Sequence, residues 1–357
     1  MITVKFRLYP TTEQTALLSR SAKEYIKSVN DLTAYMDSQT VMSKLSTASF
    51  DAALPSAVKN EALNTAKSVF KKYKKDKQKK PDKGMPVLKK PIISWNNQNY
   101  EVKDETIECP LWINGKSQRT AIKFNMNDYQ SQRLAGRLGN LRITRKNNKW
   151  TAQIAVEPPV TESTGDCVMG VDLGLKIPAV AVTGDGKTKF FGNGRQNKYM
   201  KRKFRSKRKA LGKAKKQKAI NSLSNKEQRW MKDKDHKVSR RIVNFAKNND
   251  ISVIRMEQLK NIRNTAKTSR KNAKNLHTWS FYRLSKFIEY KAGLEGIRVE
   301  YVNPKYTSQT CPHCGERNHA NDRKYKCRLC GYRAHRDRVG AINIISAPMV
   351  SGKRKPA

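Results

Sequence analysis

The spacing of apolar residues predicts a strand and then a long helix at the start of the chain. Thr3 to Tyr9 alternates as a strand does, and after Thr11 the apolar positions follow a helical period. Thr11 and Gln14 have the spacing of a capping box, which predicts where that helix begins. Its buried face is predicted to contain Leu18, Ala22, Tyr25, Val29 and Leu32. Helical character continues to about Tyr73, and the Lys-rich stretch 71–90, broken by Pro and Gly, is interpreted as a basic linker.

From Pro91 to Pro158 the apolar residues recur in short alternating runs, which predicts a β module. Within it, Leu141 to Val156 is predicted to form a hairpin that turns at Asn147-Asn148. A helical interpretation of this region fails because Pro, Gly and Asn recur throughout it.

The second half opens with a predicted three-strand meander, made of Cys167 to Asp172, Ala179 to Thr183 and Thr188 to Phe191. Asp172 is expected near the centre of the resulting sheet. The remaining predicted elements are a buried strand at Ile251 to Met256 that ends in Glu257, an amphipathic helix carrying Phe281, Leu284, Phe287 and Ile288, and a strand at Ile297 to Val302.

Charge narrows the class of partner. The 357 residues include 75 Lys and Arg against 29 Asp and Glu, which gives a formal net charge of +46. Charge of one sign at this density repels itself, so the expected partner is a polyanion, and nucleic acid is that polyanion. No window approaches the roughly 18 apolar residues of a membrane span, and the N-terminal residues lack the apolar stretch of a signal peptide. A cytoplasmic, nucleoid-associated protein without disulfides is therefore expected.

The interval between Asp185 and Glu227 contains many basic residues and not a single acid. Eight of its Lys and Arg residues lie between Lys198 and Lys209. A solvated and partly disordered basic helix would account for this composition. Contact with a phosphate backbone is favoured over that explanation, because repulsion of this strength requires a counter-charge.

Two Cys-x-x-Cys pairs provide the sharpest local motif. Cys311-Pro-His-Cys314-Gly and Cys327-Arg-Leu-Cys330-Gly are separated by twelve residues. Four thiolates at this spacing bind one tetrahedral Zn²⁺, and the Gly after each pair permits the tight turn beneath the metal. A closed site of four Cys is structural, and disulfide pairing is disfavoured in a cytosolic chain. Cys109 and Cys167 stand alone and are interpreted as small core residues.

Three acids stand out against the basic background. Asp172 and Glu257 each end a predicted strand, and Asp337 precedes the last predicted helix. Carboxylates at the edge of a buried sheet select Mg²⁺ or Mn²⁺, and two such ions about 3.5 to 4 Å apart activate water for phosphodiester hydrolysis. Each acid also has a simpler explanation, with Asp172 as the cap of a turn, Glu257 as the partner of a nearby Arg or Lys, and Asp337 as the N-cap of the helix.

Five segments of the chain carry the signature of a known family. They are Lys5-Phe-Arg-Leu-Tyr-Pro-Thr-Thr-Glu-Gln14, Gly170-Val-Asp-Leu-Gly-Leu-Lys176, Met256-Glu-Gln-Leu259, Asn303-Pro-Lys-Tyr-Thr-Ser-Gln-Thr-Cys-Pro-His-Cys-Gly315, and Arg336-Asp337 through Ala341-Ile-Asn343. In these segments the chain resembles TnpB proteins, the transposon-encoded RNA-guided DNA endonucleases related to type V CRISPR effectors. Residues from about Tyr35 to Lys90 carry no specific match.

The resemblance implies that Asp172, Glu257 and Asp337 are the catalytic ligands of Mg²⁺ (or Mn²⁺). It implies equally that Zn²⁺ is bound by the four residues Cys311, Cys314, Cys327 and Cys330. The departures from the family pattern are Gln258 after the second-motif Glu, His335 before Arg336-Asp337, and Val339-Gly340 where Asn-Ala is usual. None of them removes a carboxylate ligand, so an active nuclease is expected.

The implied fold class is α/β plus β. A wedge-type β-barrel formed by residues 1–10 and 91–160 is expected to be interrupted by a helical recognition lobe with its basic linker, residues 11–90. An RNase H-like nuclease domain of the RuvC type is expected at 165–348. It would carry a basic helical insertion at 195–249 and a zinc ribbon at 306–335, and a disordered tail would follow at 349–357.

The implied function is RNA-guided, Mg²⁺-dependent cleavage of double-stranded DNA next to a short adjacent motif. The expected partners are a structured guide RNA and the target duplex, with the protein monomeric on its RNA and base pairing reading most of the target. Three alternatives remain open. They are a nuclease-silent RNA-guided repressor, a zinc-ribbon DNA-binding regulator, and a miniature CRISPR effector whose guides come from an array.

Overall fold

The computed structural model describes residues 1–39, 45–159, 165–259, 276, 278–319 and 323–350. The chain divides into two units, Met1–Pro159 and Val160–Ala357. None of the helices in the described ranges combines the length and the apolar composition that a membrane crossing requires.

The first unit contains seven strands and three α-helices in its described part. They are β1 (Ile2–Leu8), α1 (Thr12–Ser38), α2 (Ser56–Lys79), β2 (Ile92–Trp95), β3 (Glu101–Lys103), β4 (Thr106–Ile113), β5 (Lys116–Asn125), α3 (Asp128–Leu134), β6 (Arg137–Lys146) and β7 (Lys149–Glu157). A single 3₁₀ turn, Thr47–Ser49, lies between α1 and α2.

The seven strands form one antiparallel sheet in the order β2-β6-β7-β1-β5-β4-β3. β1 lies at its centre because it pairs with β7 on one side and with β5 on the other. The Trp95 indole of β2 donates a hydrogen bond of 3.1 Å to the Pro110 carbonyl of β4, which brings opposite ends of the strand order together. The sheet therefore curls into a half-barrel, which agrees with the expected wedge-type β-barrel in its coarse shape.

The predicted start and buried face of α1 are confirmed. Thr11 and Gln14 form the complete capping box, and all five residues predicted for the inner face are buried. Tyr25 joins α1 to α2, since its hydroxyl lies 3.1 Å from the Glu61 carbonyl oxygen and 2.8 Å from the Thr65 hydroxyl.

The interpretation of residues 71–90 as a linker is wrong for its first half, because α2 continues to Lys79. Lysine favours helices, and the first proline of the stretch is Pro81, so the helix ends only where that proline approaches. The predicted hairpin is confirmed as β6 and β7, with Asn147 and Asn148 at φ 50° and 56° in the left-handed region that this turn requires. Helix α3 was not predicted, although Asn127 and Gln130 form a capping box at its start.

The second unit contains seven strands and five helices in its described part. They are β8 (Val168–Asp172), β9 (Ala179–Thr183), β10 (Thr188–Phe191), α4 (Gly194–Lys213), α5 (Gln217–Leu223), α6 (Lys226–Lys247), β11 (Val253–Glu257), α7 (Phe281–Gly293), β12 (Arg298–Val302), β13 (Lys324–Lys326), β14 (Arg333–His335) and α8 (Arg336–Ser346). The predicted meander and both later strands are confirmed, and the basic segment after β10 is helical.

Five of these strands form a mixed sheet in the order β10-β9-β8-β11-β12. β9 is antiparallel to β8 and to β10, whereas β8, β11 and β12 are parallel to one another. β8 is therefore the central strand, as predicted for the strand that ends in Asp172. Strands β13 and β14 form a separate small hairpin.

Helix α8 packs directly against β8 at Gly170. A Cβ atom at this position would lie 2.0 Å from the Ala341 carbonyl oxygen and 3.0 Å from the Ile345 side chain. Val339, Ala341 and Ile344 of α8 are fully buried. Glycine is required at position 170 because the helix backbone occupies the space of a side chain.

Two expectations about the ends of this unit need correction. Cys109 is buried as expected, but Cys167 is exposed, because it precedes the first buried residues of β8. The predicted disordered tail, 349–357, begins with Met349 in a β-bridge to Val302 and with the Val350 amide 3.0 Å from the Tyr301 carbonyl oxygen. The rest of that tail, 351–357, lies outside the described residues.

We expect Gly170→Ala to lower the free energy of unfolding by about 1 to 3 kcal/mol or more, because its Cβ would overlap the backbone of α8. Urea denaturation of the protein without nucleic acid measures this loss. Gly212→Ala is the matched control, since no atom lies within 4 Å of a Cβ built there. It should leave stability unchanged or raise it by about 0.5 to 1 kcal/mol, and an equal loss in both variants would contradict the packing explanation.

Candidate active site

Two of the three predicted acids meet at one edge of the mixed sheet. Val171 of β8 is in register with Met256 of β11 in a parallel pair, and Asp172 and Glu257 are the next residues of these strands. Because neighbouring strands lie roughly 4.8 Å apart, the two carboxylates leave the sheet side by side. The structure thus brings Asp172 and Glu257 together from positions 85 residues apart in the numbering.

Helix α8 brings the third acid to the same edge. Its N-cap is His335, whose Nδ1 accepts a hydrogen bond of 3.3 Å from the Asp337 amide. The alternative of Asp337 as N-cap is therefore wrong, and its side chain is 5 % exposed. Gly340 lies three residues further on the same helix face, and a Cβ built there would be 3.3 Å from Asp172 Oδ2. Asp337 is consequently about one helical turn from the point where α8 meets Asp172.

A threonine orients the carboxylate of Glu257. The Thr307 hydroxyl donates a short hydrogen bond to Glu257 Oε1. Asn343 of α8 holds the loop that carries this threonine, since its amide nitrogen donates bonds of 2.7 Å to the carbonyl oxygens of Thr307 and Thr310. At this contact the partner of Glu257 is the neutral hydroxyl of Thr307 and not the Arg or Lys of the simpler explanation.

Asp337 has a charged partner that the sequence did not single out. One guanidinium nitrogen of Arg323 contacts both carboxylate oxygens of Asp337. The Arg323 side chain is 25 % exposed, so the pair lies at the border of the site. Arg323 is one of 75 basic residues, and no pattern in the chain distinguishes it from the others.

Burial and mutual repulsion shape the titration of the site. Burial raises the pKa of Asp172 well above its usual value, and the charges of Glu257 and Asp337 raise it further against the opposing effect of Arg336 and Arg323. Burial also raises the pKa of Glu257, against the hydrogen bond from Thr307. The ionised forms of Asp172 and Glu257 are therefore disfavoured in the metal-free site, and a cation bound beside them would favour those forms.

Three carboxylates at one sheet edge fit a hard divalent cation by their chemistry, since oxygen ligands suit Mg²⁺ and Mn²⁺. Among the described residues, however, the four cysteines are the one group of His, Cys, Asp or Glu residues whose ligand atoms lie together as those of a metal site do, and the three acids do not form such a group.

The four cysteines of the two Cys-x-x-Cys pairs lie close together, as predicted. Their Sγ atoms all lie within 4.8 Å of one another, with Cys311 to Cys330 at 3.6 Å and Cys314 to Cys327 at 3.5 Å. These separations exclude disulfide bonds of about 2.05 Å. They approach the edge of roughly 3.8 Å that a sulfur tetrahedron has around a Zn²⁺ ion with bonds of about 2.3 Å.

The surroundings of the cysteines shift the pKa values of their thiols in opposite directions. Hydrogen bonds from the backbone of Cys330 and Leu329 lower the pKa of the Cys327 thiol to about 6, against the effect of burial. For Cys314, a backbone hydrogen bond from Glu316 is outweighed by burial and by the other three thiols, which raise its pKa to about 12. Asn318, which is buried, points its amide nitrogen at Cys327 Sγ from 3.4 Å, and its Oδ1 accepts a 2.9 Å bond from the Arg328 amide. Such supporting hydrogen bonds fix the ligands of a structural metal.

The chain is similar to proteins of known families. Residues 151–263 match a family model described as probable transposase, and residues 281–344 match the Cas12f1-like TNB domain. A TnpB-like protein of Methanocaldococcus jannaschii is 38% identical over 127 residues, which cover 35% of this chain and 45% of that protein. The resemblance to TnpB proteins is confirmed.

A longer match is to a CRISPR-associated protein. The CRISPR-associated endodeoxyribonuclease Cas12f1 of Sulfoacidibacillus thermotolerans is 27% identical over 326 residues, which cover 80% of this chain and 75% of that protein. A solved Cas12f1 structure, in complex with its single guide RNA and target DNA, has a TM-score of 0.67 at 16% identity and covers 93% of this chain and 82% of its own. At this identity the likeness shows a shared fold.

We expect Asp172→Asn to raise the free energy of unfolding of the metal-free protein at neutral pH. An acid whose pKa is raised by folding costs no stability below its unfolded pKa of about 3.9, and costs progressively more as the pH rises towards its folded pKa. The gain from the Asn variant should therefore grow with pH, by at most about 1.4 kcal/mol per pH unit. Urea unfolding between pH 4 and pH 8 measures it.

Asp233→Asn is the control for this experiment, because its carboxylate is exposed on α6 in a surface ion pair with Lys237. It should show no gain that grows with pH. A pH-independent effect of Asp172→Asn would mean that folding does not raise the pKa of Asp172.

We expect Cys327→Ser to remove the bound zinc and to lower stability, because structural zinc contributes its binding free energy to folding. Metal analysis should find about one Zn²⁺ per chain before the substitution and none after it. Cys167→Ser, at an exposed cysteine outside the cluster, should change neither quantity. Full stability of a zinc-free preparation would contradict the assignment.

Proposed function

We propose that the chain is an RNA-guided, metal-dependent DNA endonuclease in which Asp172, Glu257 and Asp337 are the catalytic acids. One observation carries the proposal: acids from β8, β11 and α8 meet at one sheet edge in a chain of net charge +46. A protein that only bound a polyanion would gain nothing from concentrating buried acids where that polyanion lies. The relatives named above, an endodeoxyribonuclease and a TnpB-like protein, support the same conclusion.

The same comparison supports a domain assignment as part of the proposal. The mixed sheet of the second unit, with its antiparallel meander followed by parallel strands, is consistent with an RNase H-like nuclease domain of the RuvC type. The segment with the four cysteines acts as a structural zinc ribbon. The half-barrel and the helices α1 and α2 of the first unit correspond to the wedge and the recognition lobe.

Mg²⁺ or Mn²⁺ held by the three acids would supply a nucleophile at neutral pH and stabilise charge on the leaving oxygen. The chain's own residues prepare this site in three ways. Asp172 and Glu257 must lose protons that their raised pKa values retain, so cation binding rises with pH. Asp337 must exchange its contact with Arg323 for the cation. Thr307 keeps Glu257 oriented while this happens.

The high positive charge outside the acid site is explained by binding of a guide RNA. Helices α4 to α6 carry many of the chain's Lys and Arg residues, and these side chains neutralise phosphates without reading bases. Base pairing between guide and target then supplies the sequence specificity that such contacts lack. A silent repressor would need the same charge, but it would not need three acids at the sheet edge.

A miniature CRISPR effector is a second candidate, favoured by the match to Cas12f1 over most of the chain. The chemistry of the two candidates is the same, and only the origin of the guide differs. Sequencing the RNA that copurifies with the protein distinguishes them, because a transposon-end transcript and an array-derived guide differ in sequence.

The central prediction is that the guide determines the position of the cut. When the target-pairing segment of the bound RNA is exchanged, double-strand cleavage in Mg²⁺ should move to the newly matched sequence, provided that the adjacent motif is present. Cleavage of a plasmid library with mapped ends measures this redirection.

Single substitutions of Asp172, Glu257 and Asp337 by Ala are the matched controls. Each should reduce cleavage to background while RNA binding stays intact, because each removes an oxygen ligand and no phosphate contact. Cleavage that ignores the guide, or that proceeds without RNA, would instead indicate a nonspecific nuclease.

A further inference from the structure

A strained tyrosine lies in the loop that connects β12 to the first Cys-x-x-Cys pair. The φ angle of Tyr306 is 66°, in the left-handed region. Among the described non-glycine residues with positive φ, it is the only aromatic one. A bulky side chain at such an angle is a genuine outlier, because its Cβ crowds the following carbonyl. Glycine would form the same turn without this strain, so the tyrosine side chain requires an explanation of its own.

The turn at this tyrosine decides where the next side chain lies. β12 ends beside Glu257, because Val302 is the partner of Glu257 in the parallel pair of β11 and β12. The chain then passes through the exposed residues 303–305 and returns, since Thr307 is buried and its hydroxyl contacts Glu257. Tyr306 is the residue directly before this return. A different φ angle there would carry the Thr307 hydroxyl away from the carboxylate.

Hydrogen bonds hold the backbone that follows the strained residue. The carbonyl oxygen of Tyr306 accepts bonds of 2.9 and 3.0 Å from the amides of Gln309 and Thr310. It also lies 3.1 Å from the Thr310 hydroxyl, which donates to it. Asn343 of α8 donates to the carbonyl oxygens of Thr307 and Thr310 at 2.7 Å each. These bonds fix residues 306–310 as one turn, but they do not hold the tyrosine side chain.

An arginine holds that side chain by stacking. The guanidinium carbon of Arg317 lies 3.8 Å from the centroid of the Tyr306 ring, and planar guanidinium groups stack on aromatic faces in this way. The backbone brings Arg317 there, because Arg317 forms an antiparallel β-bridge with Thr310. The Lys305 ammonium is 5.2 Å from the same centroid. The ring is therefore fixed from the far side of the first Cys-x-x-Cys pair.

We propose that Tyr306 is a positioning residue for the second acid. The stack with Arg317 holds the left-handed backbone, this backbone directs the Thr307 hydroxyl, and the hydroxyl orients Glu257. Backbone strain persists only where the surroundings impose it, and it gathers at functional sites. The inference rests on the proposed function for the use of Glu257 as a metal ligand, and on the loop for its geometry.

The test measures the affinity of the full chain for Mn²⁺ by electron paramagnetic resonance, without nucleic acid. Tyr306→Ala removes the ring but keeps a Cβ at the strained position. It should weaken Mn²⁺ binding at least about tenfold, the usual loss when an outer-shell partner of a metal ligand is removed. Tyr306→Phe keeps the ring and should bind Mn²⁺ as the unmodified protein does. Unchanged affinity of the Ala variant would overturn the proposal.

A double substitution shows whether the tyrosine acts through the threonine. Thr307→Val removes the hydroxyl and should by itself weaken Mn²⁺ binding about tenfold. Adding Tyr306→Ala to Thr307→Val should cause no further loss, because residues of one network do not contribute independently. Losses that multiply to about a hundredfold would show two separate effects and would overturn the relay.

The matched control is a second pair of an arginine and a tyrosine, on α3. The guanidinium carbon of Arg133 lies 4.5 Å from the Tyr129 ring centroid. Tyr129→Ala should therefore remove a comparable stack and leave Mn²⁺ affinity unchanged. An equal loss in Tyr129→Ala and Tyr306→Ala would overturn the proposal, because it would indicate a general effect of losing such a pair.

Zinc content shows whether the segment with the cysteines is still folded. Each variant should retain about one Zn²⁺ per chain. If Tyr306→Ala loses its zinc, Arg317→Met decides, because it keeps the tyrosine and removes only the stacking cation. This variant should weaken Mn²⁺ binding about two- to fivefold, the contribution of a stacked cation at an exposed site. Unchanged affinity of Arg317→Met would then overturn the proposal.

The positioning role and the proposed function fail in different ways. If guided cleavage is absent but Mn²⁺ affinity depends on Tyr306 through Thr307, the nuclease assignment is wrong and the positioning role stands. If guided cleavage occurs and Tyr306→Ala changes neither its rate nor the Mn²⁺ affinity, the positioning role is wrong and the nuclease assignment stands. Failure of the unmodified protein to bind Mn²⁺ would also overturn the positioning role, since Glu257 would then have no metal to bind.

Discussion

The contact of α8 with β8 is the constraint on which the site depends. Gly170 has no side chain, so the Ala341 carbonyl can occupy the space where a Cβ would stand. The same approach puts Gly340 against Asp172 and lets Asn343 hold the loop of Thr307. A side chain between strand and helix would move all of these groups outward together, because packed interiors transmit such displacements. The third acid, the second acid's hydroxyl partner and the first acid are therefore positioned by one interface.

The electrostatics of the site oppose the charge of the rest of the chain. A protein of net charge +46 could neutralise three acids many times over, yet burial and the other two acids still raise the pKa of Asp172. The reason is distance and solvent, since exposed cations are screened within about 10 Å at moderate salt. Among the described residues, Arg336 and Arg323 are the cations that lower the pKa of Asp172. Burial therefore keeps the pKa of Asp172 raised, because the exposed cations of the surface are too distant and too well solvated to lower it.

Sequence patterns predicted those features that depend on neighbours in the chain. The capping box of α1, the Asn147-Asn148 turn and the strands that end in acids are local in this sense. The family resemblance named the acids and cysteines, but it left open how α8 packs. What stayed unpredicted depends on distant contacts: Arg323 acquires its role only from the fold that places it on Asp337. The continuation of α2 to Lys79 was missed because a Lys-rich composition is common to helices and to basic linkers, so that only the position of Pro81 marks the end of this helix.

The connections around the four cysteines reach the acids. Strand β14 leaves the segment that carries the cysteines and continues without a break into α8, so the residues that carry Asp337 begin where that segment ends. Arg338 extends the link, with bonds of 3.0 Å to the Tyr332 hydroxyl and 3.1 Å to the Thr188 hydroxyl of β10. Arg323 stands one residue before β13 of the same hairpin. A metal bound by the cysteines would therefore also fix the start of α8, and through it the edge of the sheet where the acids lie.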